Sequence, residues 1–276
     1  MGFPAWHLHL DVWVVLGSVV AGYLVACRRH LAATGEMTPP DRRRLFLGGM
    51  LVLAVASSWP VHDIAEQRLF LVHMTQHLLY TLVAAPLLVT GVPPWMWRVA
   101  LGPTAAKVVW RTLTRPVVAF VVFNGVLLFT HWPAVVNASV GSEATHFAIH
   151  VLVVASAIVM WWPVVSPLVE MPALSPPGQI LYLFLQSLAP TIPASFLTFG
   201  SSPLYEAYVA FPRLWGLDPL TDQLVAGLIM KLAGASLLWG VITAVFFRWG
   251  NREQRDGWDA LALRNVDAEI RSEMTR

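Results

Sequence analysis

The chain is a series of long apolar runs separated by short polar links. The runs cover residues 10–27, 45–61, 69–90, 116–132, 145–163, 179–199 and 222–247. A helix satisfies its own backbone hydrogen bonds inside a bilayer, and about 20 residues cross the apolar core. A membrane β-barrel would instead show alternating polarity, whereas these runs are continuously apolar. The pattern therefore predicts an all-α membrane protein, a bundle of seven transmembrane helices.

The composition agrees with a membrane protein. Of the 276 residues, 57% are hydrophobic and 12% are charged, whereas soluble domains carry about 45–50% apolar and about 25% charged residues. These proportions exclude a disordered chain, a basic nucleic-acid-binding domain and an ordinary cytosolic enzyme. The single cysteine, Cys27, excludes an internal disulfide and a metal site built from several cysteines. We expect the lipid bilayer, and no nucleic acid, as a partner.

The basic residues predict the orientation of the bundle. They concentrate in the links after the first and third runs and in the C-terminal tail: Arg28, Arg29, Arg42, Arg43, Arg44, Arg98, Lys107, Arg111, Arg115, Arg248, Arg252, Arg255, Arg264, Arg271 and Arg276. The opposite links hold only Arg68 and Arg213. The positive-inside rule places the N-terminus outside and the C-terminus in the cytoplasm. We expect a membrane domain over 1–247 and a short cytoplasmic tail over 248–276, helical over 256–274.

Histidines gather on the predicted outer side. Eight of the nine lie there, at His7, His9, His62, His73, His77, His131, His146 and His150, and only His30 lies on the other side. The third run carries His73 and His77 at i, i+4, which places both on one helix face. The fifth run repeats this spacing with His146 and His150, and the fourth run ends at His131. Polar residues inside a bilayer are costly and usually mark a site.

This arrangement predicts a metal site. Two imidazoles one helical turn apart can reach the same ion, so we expect a site formed by His73, His77, His146 and His150, with His131 as a further ligand. Imidazole ligands suit copper, and zinc fits nearly as well; bis-histidine haem is a further alternative. Four nearby polar residues are candidates for orienting a ligand or attracting cations at the rim: Gln76, Glu143, Asp222 and Gln223.

One ionisable residue is predicted to lie near the bilayer centre. Lys231 is nine positions into the seventh run, about 13 Å along the helix. A buried lysine needs a partner or loses its proton. By depth, Asn124 and Gln186 are its uncharged candidate partners. A role in ion or proton passage and a side chain that snorkels to the interface are the alternatives to a structural bond.

Ordered motifs over about residues 45–247 resemble one known family. They are His73-Met74-Thr75-Gln76-His77, Ala85-Pro86-Leu87-Leu88, Gly91-Val92-Pro93, Thr130-His131-Trp132-Pro133, the His146/His150 pair followed by Trp161-Trp162-Pro163, Leu204-Tyr205 to Tyr208, and Asp222-Gln223 with Ala226-Gly227-Leu228-Ile229-Met230. Together they resemble the multi-span CtaG family of cytochrome c oxidase assembly factors. In one departure, Ala148-Ile149 stand before His150 where the family often has an acidic residue, and the acid is displaced to Glu143.

The resemblance implies a multi-pass protein of the bacterial inner membrane that helps to mature a haem–copper oxidase. It implies that the protein delivers or handles copper, a role in which no reaction need be catalysed. The implied partners are subunits of the oxidase or an extracytoplasmic copper chaperone.

The residues by themselves leave three rivals open. A zinc-dependent intramembrane hydrolase would hold zinc on three histidines and use Glu143, Asp63 or Asp222 as the general base. A bis-histidine haem protein would move electrons or haem. A copper transporter would use Lys231 and the proline-containing sixth run to line a path to the cytoplasm.

Ligation by histidine makes copper binding sensitive to acid. Only the neutral imidazole binds a metal, so protons compete with copper for the ring nitrogen. We expect affinity to fall as the pH drops through about 6, near the ordinary histidine pKa. Copper retention across a pH series in equilibrium dialysis measures this, and equal retention at about pH 5 would contradict histidine ligation.

Overall fold

The computed structural model describes residues 4–102 and 104–274, with side chains up to residue 255. All regular secondary structure in these ranges is helical: α1 Leu10–Thr34, α2 Pro40–Ala56, α3 Val61–Gln67, α4 Phe70–Gly91, α5 Pro94–Ala100, α6 Thr104–Leu113, α7 Pro116–Thr130, α8 Pro133–Val140, α9 Glu143–Val165, α10 Pro176–Leu188, α11 Thr191–Phe199, α12 Glu206–Ala210, and α13, which joins Pro219–Leu228, Ile229–Ala233 and Gly234–Met274 end to end. The predicted all-α class is confirmed.

The number of membrane spans is between five and seven. Five segments are long and apolar enough to cross a membrane: α1, α4, α9, the α10–α11 segment and α13. The pairs α2–α3 and α6–α7, bent by 46° and 77°, bring the number to seven if each pair forms one span. The 15 residues of α7 alone rise only about 22 Å, short of the apolar core at about 30 Å. A multi-pass membrane protein is thus established, and seven spans stay a prediction.

The predicted tail helix is continuous with the last span. Gly234–Met274 forms one helix, so residues 256–274 extend α13 and do not start a new element. The predicted domains also contain residues 1–3, 103 and 275–276, which lie outside the described residues.

Proline marks the start of many of these helices. Its ring presets a helical φ, and its missing N–H would be unpaired at a first helical turn anyway. Proline takes such a position in α2, α5, α7, α8, α10 and α13: Pro40, Pro94, Pro116, Pro133, Pro176 and Pro219. The prolines of the polar links thus set the boundaries that separate neighbouring apolar runs.

Helix α4 is the centre of the bundle and packs against α2, α9 and α13. Its middle is a π-helical segment, Leu79–Ala84, in which hydrogen bonds skip one residue more than in an α-helix. The indole Nε1 of Trp161 on α9 donates to the carbonyl of Thr81 in this segment at 2.7 Å. Both Trp161 and its neighbour Trp162 are buried in the largest hydrophobic cluster. This hydrogen bond of the indole therefore joins α9 to α4 inside the bundle.

The arginine-bearing links meet at one end of the bundle. Arg42 donates to the carbonyl of Thr90 at 2.9 Å, which joins the first link to the end of α4. Arg98 binds the carboxylate of Glu170 at 2.9 Å and lowers its pKa to about 2. We call this end the arginine end and the opposite one the histidine end.

Gly91, the last residue of α4, allows α2 to approach closely. A Cβ at this position would collide with the backbone of Phe46, lying 2.6 Å from its Cα. We expect Gly91→Ala to cost about 1–3 kcal/mol of unfolding free energy, because overpacking displaces backbone. Thermal unfolding in detergent measures this. The control is Gly17→Ala on α1, where a Cβ meets nothing within 4 Å. Equal midpoints for the two variants would contradict the close α2–α4 contact.

Candidate metal centre

Three histidines from α4 and α9 converge inside the histidine end. His73 and His77 lie one turn apart on α4, with ring centroids 4.4 Å apart. The ring of His150 on α9 is 5.3 Å from that of His77. One ring nitrogen from each of the three lies within 4.8 Å of the others. We call His73, His77 and His150 the inner cluster.

The inner cluster has ring nitrogens with no partner. Nδ1 of His73, Nε2 of His77 and Nε2 of His150 are buried and accept or donate no hydrogen bond among the described residues. Leaving a buried polar group unpaired costs about 1–3 kcal/mol. A bound ion would give these histidines a partner: one ring nitrogen of each lies within 4.8 Å of the others, and nitrogens on a tetrahedral ion lie about 3.3 Å apart. The donor set fits copper or zinc.

A second group adds a carboxylate next to the inner cluster. Glu66 on α3 places Oε1 2.8 Å from Nε2 of His62 and 2.5 Å from Nε2 of His146. The other ring nitrogens are also held: Nδ1 of His62 lies 3.1 Å from Nε2 of Gln76, and Nδ1 of His146 lies 3.0 Å from Oγ of Ser139. Such contacts fix ring orientation around a metal. We call His62, Glu66 and His146 the middle cluster.

A third group lies nearer the N-terminus. Nε2 of His9 is 3.0 Å from Oδ2 of Asp63, and His7 completes what we call the mouth cluster. The three clusters form one series of ring contacts: His7–His9 4.8 Å, His9–His62 4.6 Å, His62–His146 5.6 Å, His146–His150 4.1 Å and His150–His77 5.3 Å. The series runs from exposed to buried side chains.

A half-open cavity of about 710 Å³ borders these clusters, and His150 of the inner cluster lines it. Its lining combines the polar side chains of the mouth and middle clusters with apolar side chains of α1 and α9 such as Val15 and Val151. Helix α1 makes this space possible, because it contacts mainly α2 and leaves most of its surface uncovered. We call this space the vestibule.

The structure divides the predicted five-histidine site. His73, His77 and His150 come together, whereas His146 belongs to the middle cluster with its ring 4.1 Å from that of His150. His131 belongs to none of the three clusters: its Nδ1 lies 2.7 Å from the carbonyl of Leu127, and its side chain lines a small cavity that His77 also lines.

Glu66 is the candidate site residue that the sequence reasoning missed. It stands four residues after His62 on one face of a short helix, and this spacing could have indicated it. The acids considered as a general base were Glu143, Asp63 and Asp222. Glu143 lines the vestibule but is exposed in the first turn of α9, and Asp63 belongs to the mouth cluster. In the described chain, Glu66 is the carboxylate that contacts His146.

The predicted rim residues of the seventh run, Asp222 and Gln223, form hydrogen bonds with backbone groups instead of lining the site. The carboxylate of Asp222 accepts from the backbone N–H groups of Phe70 and Leu71 at 2.8 and 2.9 Å. It thereby satisfies two free donors at the start of α4, the helix that carries His73 and His77. The side chain of Gln223 accepts a hydrogen bond from the N–H of Leu204 at 2.5 Å, which links α13 to the segment that follows α11. Neither residue lines the vestibule.

The polar residues deeper in the bundle pair differently from expectation. Asn124 donates through Nδ2 to Oε1 of Gln186 at 2.8 Å, and Nε2 of Gln186 in turn donates to the hydroxyl of Tyr182. Within the described residues, no hydrogen bond joins either of them to Lys231. Lys231 instead lines a cavity of about 40 Å³ together with Gln186 and Pro190.

The fold and the site define a multi-pass helical membrane protein with a vestibule lined by histidines at one end of the bundle. The family model described as cytochrome c oxidase caa3 assembly factor (Caa3_CtaG) matches residues 21–252. The chain belongs to this family of cytochrome c oxidase assembly factors, as its motifs suggested. The match covers the inner and middle clusters but not His7 and His9 of the mouth cluster. No curated protein and no solved structure is significantly similar to the chain.

The role of Asp222 can be tested by its removal. Asp222→Ala leaves two buried N–H donors unpaired at the start of α4, so we expect a loss of about 1–3 kcal/mol per donor in unfolding free energy. Denaturant or thermal unfolding measures it, with the exposed Asp41→Ala as the matched control. The alternative role, attraction of cations, predicts slower metal binding with unchanged stability, and that result would contradict the capping role.

Proposed function

We propose that the protein captures copper in the inner cluster and hands it to a haem–copper oxidase during assembly. The observation that carries this proposal is the convergence of His73, His77 and His150, each of which has a buried ring nitrogen without a partner among the described residues. Unpaired nitrogens at this depth are costly unless something binds them. Family membership supplies the destination of the metal.

In this proposal the histidine end faces away from the cytoplasm. The positive-inside rule supports that orientation, because the arginine-bearing links meet at the opposite end. The protein then crosses the bacterial inner membrane seven times, with α2–α3 and α6–α7 each forming one bent span. Copper reaches the clusters from outside the cell membrane through the vestibule.

In this proposal the carboxylates near the mouth and the histidines of the inner cluster have different roles. Asp63 and Glu66 supply negative charge beside the first histidines, which favours a cation entering the vestibule. The inner cluster carries no carboxylate and binds copper through neutral imidazoles alone. Transfer then proceeds by exchange of ligands with the partner, an oxidase subunit or an extracytoplasmic copper chaperone. No bond of a substrate is broken, so the protein acts as a carrier and not as an enzyme.

One observation favours a second candidate, a zinc-dependent hydrolase. Glu66 contacts His146, whose ring is 4.1 Å from that of His150 in the inner cluster of three histidines. The apolar side chains that line the vestibule suit the chain of a lipid. A carboxylate beside a zinc-bound water is the arrangement that metal-dependent hydrolysis uses.

Metal content distinguishes these functions. We expect the detergent-purified protein to carry stoichiometric copper after loading, as measured by elemental analysis. His73→Ala/His77→Ala removes two of the three ligands, so copper in that variant should fall several-fold or more. The matched control is His30→Ala, because His30 stacks on Trp95 at the arginine end, away from the clusters.

The outcomes separate the candidates. Copper that is lost in the double variant and kept in the control supports the carrier. Retained zinc, with hydrolysis of a lipid amide or ester that is abolished in Glu66→Gln, would replace the carrier by the hydrolase. Iron with a haem spectrum would indicate the haem protein, and copper uptake into vesicles would indicate the transporter.

A further inference from the structure

A small cavity lies behind the inner cluster, in the core of the bundle. Its volume is about 40 Å³, and it is lined by His77, His131, Met74 and Met230 among otherwise apolar and hydroxyl-bearing side chains. A space above about 10–15 Å³ holds one water-sized occupant. We call this space the core cavity.

The hydrogen bonds of His131 determine which ring nitrogen is free. Its Nδ1 lies 2.7 Å from the carbonyl oxygen of Leu127. A carbonyl only accepts, so Nδ1 carries the proton, and Nε2 of the neutral ring is a bare lone pair. This Nε2 is buried without a hydrogen-bond partner in the part of the chain that the structure describes.

The hydroxyl groups around the core cavity do not satisfy this lone pair. Thr81, Thr130 and Ser156 line the cavity, and each donates its hydroxyl proton to a backbone carbonyl of its own helix, at 2.7, 3.1 and 2.9 Å. A hydroxyl group has only one proton to give. The lone pair on Nε2 of His131 therefore has no donor among these hydroxyl groups, and Nε2 of His77 is also without a partner among the described residues.

Two thioethers complete the lining. Met74 on α4 and Met230 on α13 are both buried and belong to the same hydrophobic cluster. Met230 lies in the π-helical segment Ile229–Ala233, an irregularity that is frequent at functional sites. Thioethers are soft donors that select soft ions such as Cu(I).

We propose that the core cavity is a second metal site, which binds Cu(I) through Nε2 of His131 and the sulfur atoms of Met74 and Met230. The donors are all neutral, and no carboxylate lines the core cavity. Bringing an ion into an apolar interior costs more as its charge rises, so a neutral donor set favours a monovalent ion over Zn²⁺ or Cu²⁺.

The second site rests on the proposed function and extends it, because it would hold the copper in the buried core of the bundle. His77 belongs to the inner cluster and also lines the core cavity, so it can pass an ion between the two by exchange of ligands. The ion stays Cu(I) throughout, and no electron is transferred. Copper held by sulfur in the core cavity would lie away from the vestibule, because the two cavities share no lining residue in the described part of the chain.

X-ray absorption at the copper edge tests the site directly. The purified protein is loaded with Cu(I) without oxygen, and sulfur neighbours of copper are expected in the spectrum. Met74→Leu/Met230→Leu conserves volume, so it should fold, lose the sulfur signal and bind at least about tenfold less tightly when Cu(I) is titrated against a chromophoric chelator. Met50→Leu, a buried methionine on α2 away from the cavity, is the control and should change neither.

A second variant separates this proposal from the carrier function. His73→Ala/His150→Ala removes two ligands of the inner cluster and leaves the lining of the core cavity intact. Persistence of the sulfur signal there, with loss of the nitrogen-bound copper, would support a core site even if copper delivery proved wrong. Copper surrounded by nitrogen alone in the unmodified protein would overturn the core site, as would a full sulfur signal in the folded double methionine variant.

Discussion

The packing of α4 against α9 is the contact on which the chemistry of this protein depends. His73 and His77 lie on the first helix and His150 on the second, so the inner cluster exists only while the two helices keep their register. The bond from Trp161 to the carbonyl of Thr81 joins the same helices just below the cluster, with the indole fully buried. A displaced helix would leave that indole unpaired inside an apolar core, which is costly. The same contact that stabilises the bundle therefore positions the ligands.

The neighbouring helices support this arrangement with buried polar contacts. Asp222 holds the start of α4, and Gln76 joins α4 to the end of α2 by donating to the carbonyl of Ala56 at 2.7 Å. In lipid each of these groups must find its partner within the protein. The polar groups at the histidine end thus fall into three kinds: those that pair with backbone, the imidazoles that contact a carboxylate, and the ring nitrogens of the inner cluster that have no partner among the described residues. The last kind is the one that suits a metal.

The character of the donors changes along the path from the vestibule to the core. Carboxylates accompany the histidines of the mouth and middle clusters, imidazoles stand alone in the inner cluster, and thioethers join His131 around the core cavity. Negative charge attracts a cation where water still reaches it, and softer neutral donors suit Cu(I) where water is absent. Such a gradient suits the proposed function, in which copper is held and then released to a partner.

The sequence by itself determined the helical class, the membrane character, the family and the two histidine pairs, because these depend on local periodicity and composition. An i, i+4 pair shares one face wherever its helix lies. Tertiary structure decided which pairs meet: it joined His150 to the pair on α4, placed His146 beside Glu66 and directed His131 to a different cavity. It also showed that Asp222 caps α4. Register and rotation between helices arise from packing among residues far apart in the chain, and no local pattern encodes them.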